Sequence, residues 1–294
     1  MKRFEGVYTA LVTPFNKDSS IDEEALRKLV DFQIEEGITG ILPMGTTGES
    51  PTVTHEENLE VIKIVIEQVK GRVPVIAGTG SNSTSEAKDM TKKAQELGAD
   101  ASLQVTPYYN KPNQEGLYRH FTEIADSIDI PLIIYNIPGR TGRNIELETM
   151  MKLAAHPNIT AVKEASGDIQ QIMETIDKKP EDFTVLSGDD NLAFPVTALG
   201  GSGVVSVASN IIPGRMVQMI TDALRGNIAG ARQEHYRHMS LFKALLKLDT
   251  NPIPIKYALA AKKMIQEYYR LPMCPLNKDK RKVFKKILSA LDII

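Results

Sequence analysis

Residues 159–168 read "ITAVKEASGD". Ile159, Thr160, Ala161 and Val162 make a short run rich in β-branched side chains, the composition of a buried strand, and the run ends on Lys163. A lysine closing a buried strand has two readings. Either it carries its head to water or to a carboxylate at the strand terminus, or it is an amine kept over an apolar interior for its reactivity. The architecture around the strand has to decide between them.

Seven further runs of the same kind occur along the chain: "GVYTALVT" (6–13), "TGILPM" (39–44), "VPVIAG" (73–78), "ASLQVT" (101–106), "PLIIYNI" (131–137), "FTVLSG" (183–188) and "SGVVSVAS" (202–209). With 159–165 they make eight, their starts roughly 20–35 residues apart, the length of one strand plus one helix. The stretches between them are amphipathic. In "IDEEALRKLVDFQIEEG", Leu26, Leu29, Val30, Ile34 and the stem of Phe32 share one side, and Gly37 supplies a stop. "THEENLEVIKIVIEQVKG" opens with the capping-box spacing of Thr54 and Glu57 and closes at Gly71. Eight strand–helix units predict an α/β protein of the (β/α)8 TIM-barrel class over residues 1–225. Residues 226–294 read as three more helices, among them one over "NPIPIKYALAAKKMIQEYY". No flexible linker precedes them, so they are expected to pack on the barrel. An open doubly wound sheet would need a Gly-x-Gly-x-x-Gly turn; "GTGSNS" (78–83) lacks its third glycine.

Composition narrows the function classes. The 294 residues carry a formal net charge of −2, with no basic excess for a nucleic-acid partner. A single cysteine, Cys274, excludes an internal disulfide and fits a reducing compartment. The N-terminal "MKRFEGVYTALVTPF" is interrupted by Thr9, Thr13 and Pro14 and makes a poor signal peptide. No run reaches the roughly 18 apolar residues of a membrane helix. The expectation is a soluble cytoplasmic protein.

In a barrel, catalytic groups gather at the C-terminal ends of the strands. Lys163 ends the sixth, and simple pleating puts Ile159, Ala161 and Lys163 on one face. The other ends run into "GTTGES" (45–50), "TPYYNKP" (106–112), "YNIPGRTG" (135–142) and "SGDD" (187–190). Thr46, Thr47, Tyr108, Tyr109, Tyr135, Arg140 and Lys163 are therefore expected at one mouth. A lysine amine desolvated there loses its proton more readily and can attack a ketone to form a Schiff base. Tyrosine and threonine hydroxyls can shuttle the protons, and Arg140 offers a bidentate fork to a carboxylate. Taken singly, each has a bland account: Tyr135 as a rim residue, "GTTG" as a turn, Arg140 as surface. Asp189 and Asp190 read as caps of the next helix rather than a metal pair. The convergence on one face favours the reactive amine.

The motifs "GTTGES", "TPYYNKP", "YNIPGRTG", "AVKEASGD" and "GGSGVVSV", in this order, resemble the dihydrodipicolinate synthase/N-acetylneuraminate lyase family of pyruvate-dependent class I aldolases. The resemblance runs from "TALVTPF" to "NPIPIKYAL". It implies a barrel with a C-terminal helical region, a homotetramer and no organic cofactor or metal. Lys163 is then the imine-forming residue, and Tyr135, Thr47 and Tyr109 the proton relay, Tyr109 reaching in from a neighbouring protomer. Thr46 and Thr47 bind the pyruvate carboxylate, and Gly188 and Val205 shape the pyruvate site. Arg140 within "PGRTG" is similar to the synthase branch, whose second substrate is L-aspartate 4-semialdehyde, rather than to the sialic-acid lyases. Ser50, His55, Asn82, Glu86 and Tyr108 match the family's lysine-regulatory pattern, whereas Pro51 and Asn58 depart from it, so inhibition by lysine is expected to be weak or absent. His235 and His238 read as a solvated helix face, and "KDKRKVFKK" (278–286) as a charged outer face.

Overall fold

Eight parallel strands form one sheet in the order β2-β1-β8-β7-β6-β5-β4-β3. They are β1 (Gly6–Ala10), β2 (Gly40–Leu42), β3 (Ile76–Gly78), β4 (Ala101–Val105), β5 (Leu132–Asn136), β6 (Ile159–Glu164), β7 (Thr184–Ser187) and β8 (Gly203–Ser206). The structure is a computed structural model and describes residues 4–294. Lys2 and Arg3, part of the N-terminal segment weighed above as a signal peptide, lie outside the described residues. β2 and β3 meet through the Ile41–Val75 bridge, which brings the sheet round into a barrel. Pro43 and Pro74 flank this seam and cannot donate to a ladder, so pairing there is short; their carbonyls still accept from Gly78 and Ile41.

Every expected strand is present, each shorter than its apolar run. Inside the barrel, Tyr8, Leu42, Ile76, Leu103, Ile133, Tyr135, Ala161, Leu186 and Val205 pack together. The outer faces of the strands pack under the helices in two larger clusters. β6 corrects one expectation. Ile159 lies in the outer layer with Val162, not inside with Ala161. The register shifts from Leu132↔Ile159 to Ile133↔Ala161, which leaves one extra residue on β6. That irregularity turns the strand after Ile159, so only its last turn of pleat follows simple alternation.

The helices begin as read. Thr54 and Glu57 form the capping box, and Asp22 caps the first helix, Glu23–Glu35. Three helices follow the barrel: Ile228–Lys247, Ile253–Ala261 and Lys278–Ala290. Leu241, Phe242, Leu245, Ile255 and Leu259 share one core cluster with Leu11, Val12 and Leu26. The expected helix through 269 stops instead at Ala261, and Lys263 adopts a left-handed conformation. The chain leaves the helical path here, and Arg270 reaches Glu57 and the carbonyls of Ser19 and Thr52. His235 and His238 also depart from expectation. Both are buried on the helix face that also carries Phe242, with Phe194 of the helix Asp190–Ala198 against His235, and burial lowers their pKa, favouring the neutral form. Among the described residues no helix is long and apolar enough to cross a membrane.

Candidate active site

Lys163 is the fifth residue of β6, with Tyr135 of β5 as its register partner. Its side chain is 5% exposed, and Nζ lies 4.1 Å from the centre of the Tyr135 ring. Burial lowers its pKa to about 7; nearby Asp190 opposes the shift and Arg140 adds to it. The ring face attracts a cation by about 0.5–2 kcal/mol, which is less than the desolvation behind a shift of this size. The amine therefore reaches neutral pH as a substantial fraction of free base.

The lysine stem lies against Gly188, just after β7. A Cβ built there would stand 2.8 Å from Ala165 Cβ and 3.1 Å from both Cγ and Cε of Lys163. Gly188→Ala is expected to cost about 1–3 kcal/mol by overpacking and to slow borohydride trapping of pyruvate by about tenfold through displacement of the amine. Thermal melts and trapping rates check this; an unchanged trapping rate would mean that the stem has room to move.

Tyr135 is buried, and burial raises its pKa to about 12, against smaller opposing effects of Arg140 and a hydrogen bond with the Thr46 side chain. The phenol stays protonated at neutral pH and can donate. Thr46 and Thr47 sit in a single 3-10 turn, Thr46–Gly48, fixed by the Thr13 hydroxyl donating to the Gly48 carbonyl at 2.7 Å. Thr47 is buried, and its Oγ1 accepts a 3.0 Å hydrogen bond from Asn251 Nδ2. Glu49, in left-handed conformation at the end of this turn, is buried and paired with Lys256.

Thr46, Tyr135, Arg140 and Tyr108 line one cavity of about 570 Å³. Arg140, in the short turn Pro138–Thr141, donates from Nη2 to the Asn251 carbonyl at 3.1 Å. The same cavity extends past Ser50, His55 and Glu86, so those positions open onto the space that Tyr135 faces. Asn82 stands beside it and donates to the Tyr108 carbonyl. Val205 closes the barrel interior near Tyr135 and Leu186. One expected member stands apart: Tyr109 is 90% exposed, on a backbone at φ 70°, and does not line this cavity.

The two aspartates divide. Asp189 caps the helix Asp190–Ala198. Asp190 does not cap; it is buried, accepts from the Val207 and Ala208 amides, and burial raises its pKa to about 6. Among the described residues no three His, Cys, Asp or Glu side chains gather as a metal site. Asn251 and the Glu49–Lys256 pair were not singled out from sequence. The one available signal was Lys256 itself, the only charge in the apolar helix "IPIKYALAA".

The dihydrodipicolinate synthetase family model matches residues 3–291. The chain belongs to the dihydrodipicolinate synthetase family. The 4-hydroxy-tetrahydrodipicolinate synthase of Thermodesulfovibrio yellowstonii is 50% identical over 291 residues, covering 99% of each chain. The crystal structure of dihydrodipicolinate synthase from Aquifex aeolicus, 45% identical, superimposes with a TM-score of 0.96 over 99% of each chain. The chloride-inhibited Acinetobacter baumannii enzyme complexed with pyruvate, 42% identical, gives 0.97 over 99% of each. Family membership accords with the barrel.

Proposed function

We infer that the chain is a lyase with 4-hydroxy-tetrahydrodipicolinate synthase activity, condensing pyruvate with L-aspartate 4-semialdehyde in lysine and diaminopimelate synthesis. The observation that carries this reading is the buried Lys163 amine, its pKa near 7, packed on the Tyr135 phenol. The free amine adds to C2 of pyruvate, and loss of water gives the protonated imine. A proton leaves C3, and the resulting enamine attacks the aldehyde carbon of the second substrate. The new alkoxide takes a proton, and the substrate's own amine closes the ring and releases Lys163.

The proton relay is assigned to Tyr135, Thr47 and Tyr109, whose exposure on its own chain suits insertion into a neighbouring protomer of a homotetramer. Thr46 and Thr47 hold the pyruvate carboxylate, Gly188 and Val205 shape its site, and Arg140 engages the carboxylate of the semialdehyde. No organic cofactor or metal enters this route. Residues 1–225 form the catalytic barrel and 226–294 a helical region packed on it; the shared core of Leu11, Leu26, Leu241 and Leu259 supports that packing. A cytoplasmic setting suits the single exposed thiol of Cys274.

The test is pyruvate consumption by the purified protein with L-aspartate 4-semialdehyde. Consumption is expected. Its absence, with the imine still trapped, would move the second substrate to a sialic or 2-oxo sugar acid.

Ser50, His55, Glu86 and Tyr108, with Asn82 beside them, are assigned to a lysine-binding part of the same cavity. Pro51 and Asn58 also line it, and Pro51 removes a backbone donor. Inhibition by lysine is expected to be weak or absent. Isothermal titration showing tight lysine binding, with matching loss of activity, would contradict this.

A further inference from the structure

The last two residues of β6, Lys163 and Glu164, are both buried and stand on opposite faces of the strand. Their register partners on β5 are Tyr135 and Asn136. Tyr135 packs inside the barrel, so Asn136 and Glu164 share the outer side, where they meet Asn144. A slip of one residue would exchange the faces, turning the carboxylate inward and the amine out under the helices. Backbone pairing alone does not choose between the two.

The polarity of the outer network does choose. The Ile145 amide donates to Asn136 Oδ1 at 3.1 Å, so Asn136 presents Nδ2 to its other neighbours. One N–H goes to Asn144 Oδ1 at 2.8 Å, and the other is shared between the Glu164 oxygens at 3.0 and 3.2 Å. Glu164 Oε1 also accepts from the Ser166 amide at 2.8 Å. A position facing two donors suits a group that only accepts, as an ionised carboxylate does. Burial raises the pKa of Glu164, and the bonds from Asn136 and Ser166 oppose the rise. A carboxylate held by neutral donors alone carries a desolvation cost that an apolar residue would not.

Glu164 also shapes the surroundings of the lysine stem. Its bond from the Ser166 amide bends the chain directly after the strand, around Ala165. Its carbonyl accepts from the Gly188 amide at 2.7 Å. A Cβ built on Gly188 would touch both Ala165 and the Lys163 stem, so the three residues meet there. One residue thus fixes, by its side chain and its carbonyl, the two neighbours beside the stem.

We propose that Glu164 is a positioning residue of the reaction: its carboxylate, gripped on the outer side of the barrel by Asn136 and the Ser166 amide, locks β6 in the register that turns the Lys163 amine inward onto Tyr135 and keeps its stem confined. This inference rests on the reading of Lys163 as the imine-forming residue.

Variants of the full-length protein test it. Glu164→Gln keeps the shape but sets an amide N–H against Asn136 Nδ2, which the Ile145 amide prevents from turning over. The midpoint of borohydride trapping of pyruvate against pH is expected to rise from about 7 by about one unit, as water reaches the loosened amine. The trapping rate at pH 7 is expected to fall about tenfold. Asp190 and Arg140, the charged groups that bear on Lys163 from other elements, are untouched. Loss of the carboxylate charge by itself would act the other way and lower the midpoint. Adding Asn136→Asp reverses the polarity of the pair and should bring the midpoint back toward its native value. Asn144→Ala, at a half-buried position, removes one acceptor of Asn136 and should give a smaller rise, even if Glu164→Gln does not fold. A midpoint that stays or falls in the folded single variants would overturn the proposal, whatever the melting temperature does. So would a double variant that melts like the native protein and keeps the raised midpoint. Absence of trapping in the native protein is a different failure: it would remove the reading of Lys163 itself.

Discussion

Lys163→Ala is expected to abolish borohydride trapping of pyruvate and to lower turnover with L-aspartate 4-semialdehyde by about 10⁴-fold or more, the scale of losing a covalent nucleophile. At its ordinary pKa only about one lysine amine in a few thousand is neutral at pH 7. Held at about 7, roughly half are neutral at that pH. The trapping rate of the native protein should therefore climb as pH rises through about 7 and level off above it. A lysine with its ordinary pKa would still be gaining rate at pH 9, and that result would sink the assignment. The same burial has a cost in stability. Between pH 7 and 10.5 the unfolded chain holds the Lys163 proton and the folded chain does not, so this group's contribution makes stability rise with pH across that window. Below it the penalty is complete, on the order of 5 kcal/mol. Lys163→Met, inactive, should accordingly melt above the native protein at pH 7. A reactive amine over an apolar interior is a case of activity maintained against stability.

Strand ends made much of this site legible in advance. A βα barrel places the residues that follow each strand at one mouth, so Thr46, Tyr135, Arg140 and Lys163 could be grouped from spacing alone. Gly188 was named through family resemblance, and the structure adds its physical reason, contact with the lysine stem. What failed was whatever depended on a shift of register or on distant chain. The extra residue in β6 moved Ile159 to the outer layer, and no local pattern announces such a shift. His235 and His238 read as solvated because no further metal ligand stands near them in sequence, yet they share a buried helix face with Phe242, and Phe194 of another helix packs on His235. The helix through 269 was overextended because its periodicity continues past Ala261, while Arg270 is drawn to Glu57 instead. Asn251 reaches Thr47 across 204 residues of sequence. Nothing local distinguishes it from an ordinary turn asparagine ahead of a proline.

The second large effect is expected at Lys256, which is fully buried. Its ammonium pairs with Glu49 at 2.5 Å and lies 4.4 Å from the centre of the Phe15 ring. Burial pulls its pKa down, and the Glu49 carboxylate pulls it back up. Lys256→Met would leave Glu49 buried with the Arg270 amide, at 3.4 Å, as its remaining partner. Removing one member of such a pair costs about 3–5 kcal/mol, because the other charge stays desolvated. In a chain of this size the melting temperature should fall on the order of 10 °C. The double change Lys256→Met with Glu49→Gln removes both charges and should recover most of that loss. A drop of only a degree or two in the single variant would mean that water reaches the pair. Turnover is expected to separate from stability in the double variant. Its core is restored, but the ion pair no longer fixes the Thr46–Gly48 turn against the segment carrying Asn251. If kcat returned along with the melting temperature, the pair would be needed only to fill its own space. If kcat stayed low, the buried charges would be serving geometry: an apolar pair can slide, whereas a carboxylate and an ammonium in a dry core meet in one arrangement, and that arrangement sets where Thr47 stands.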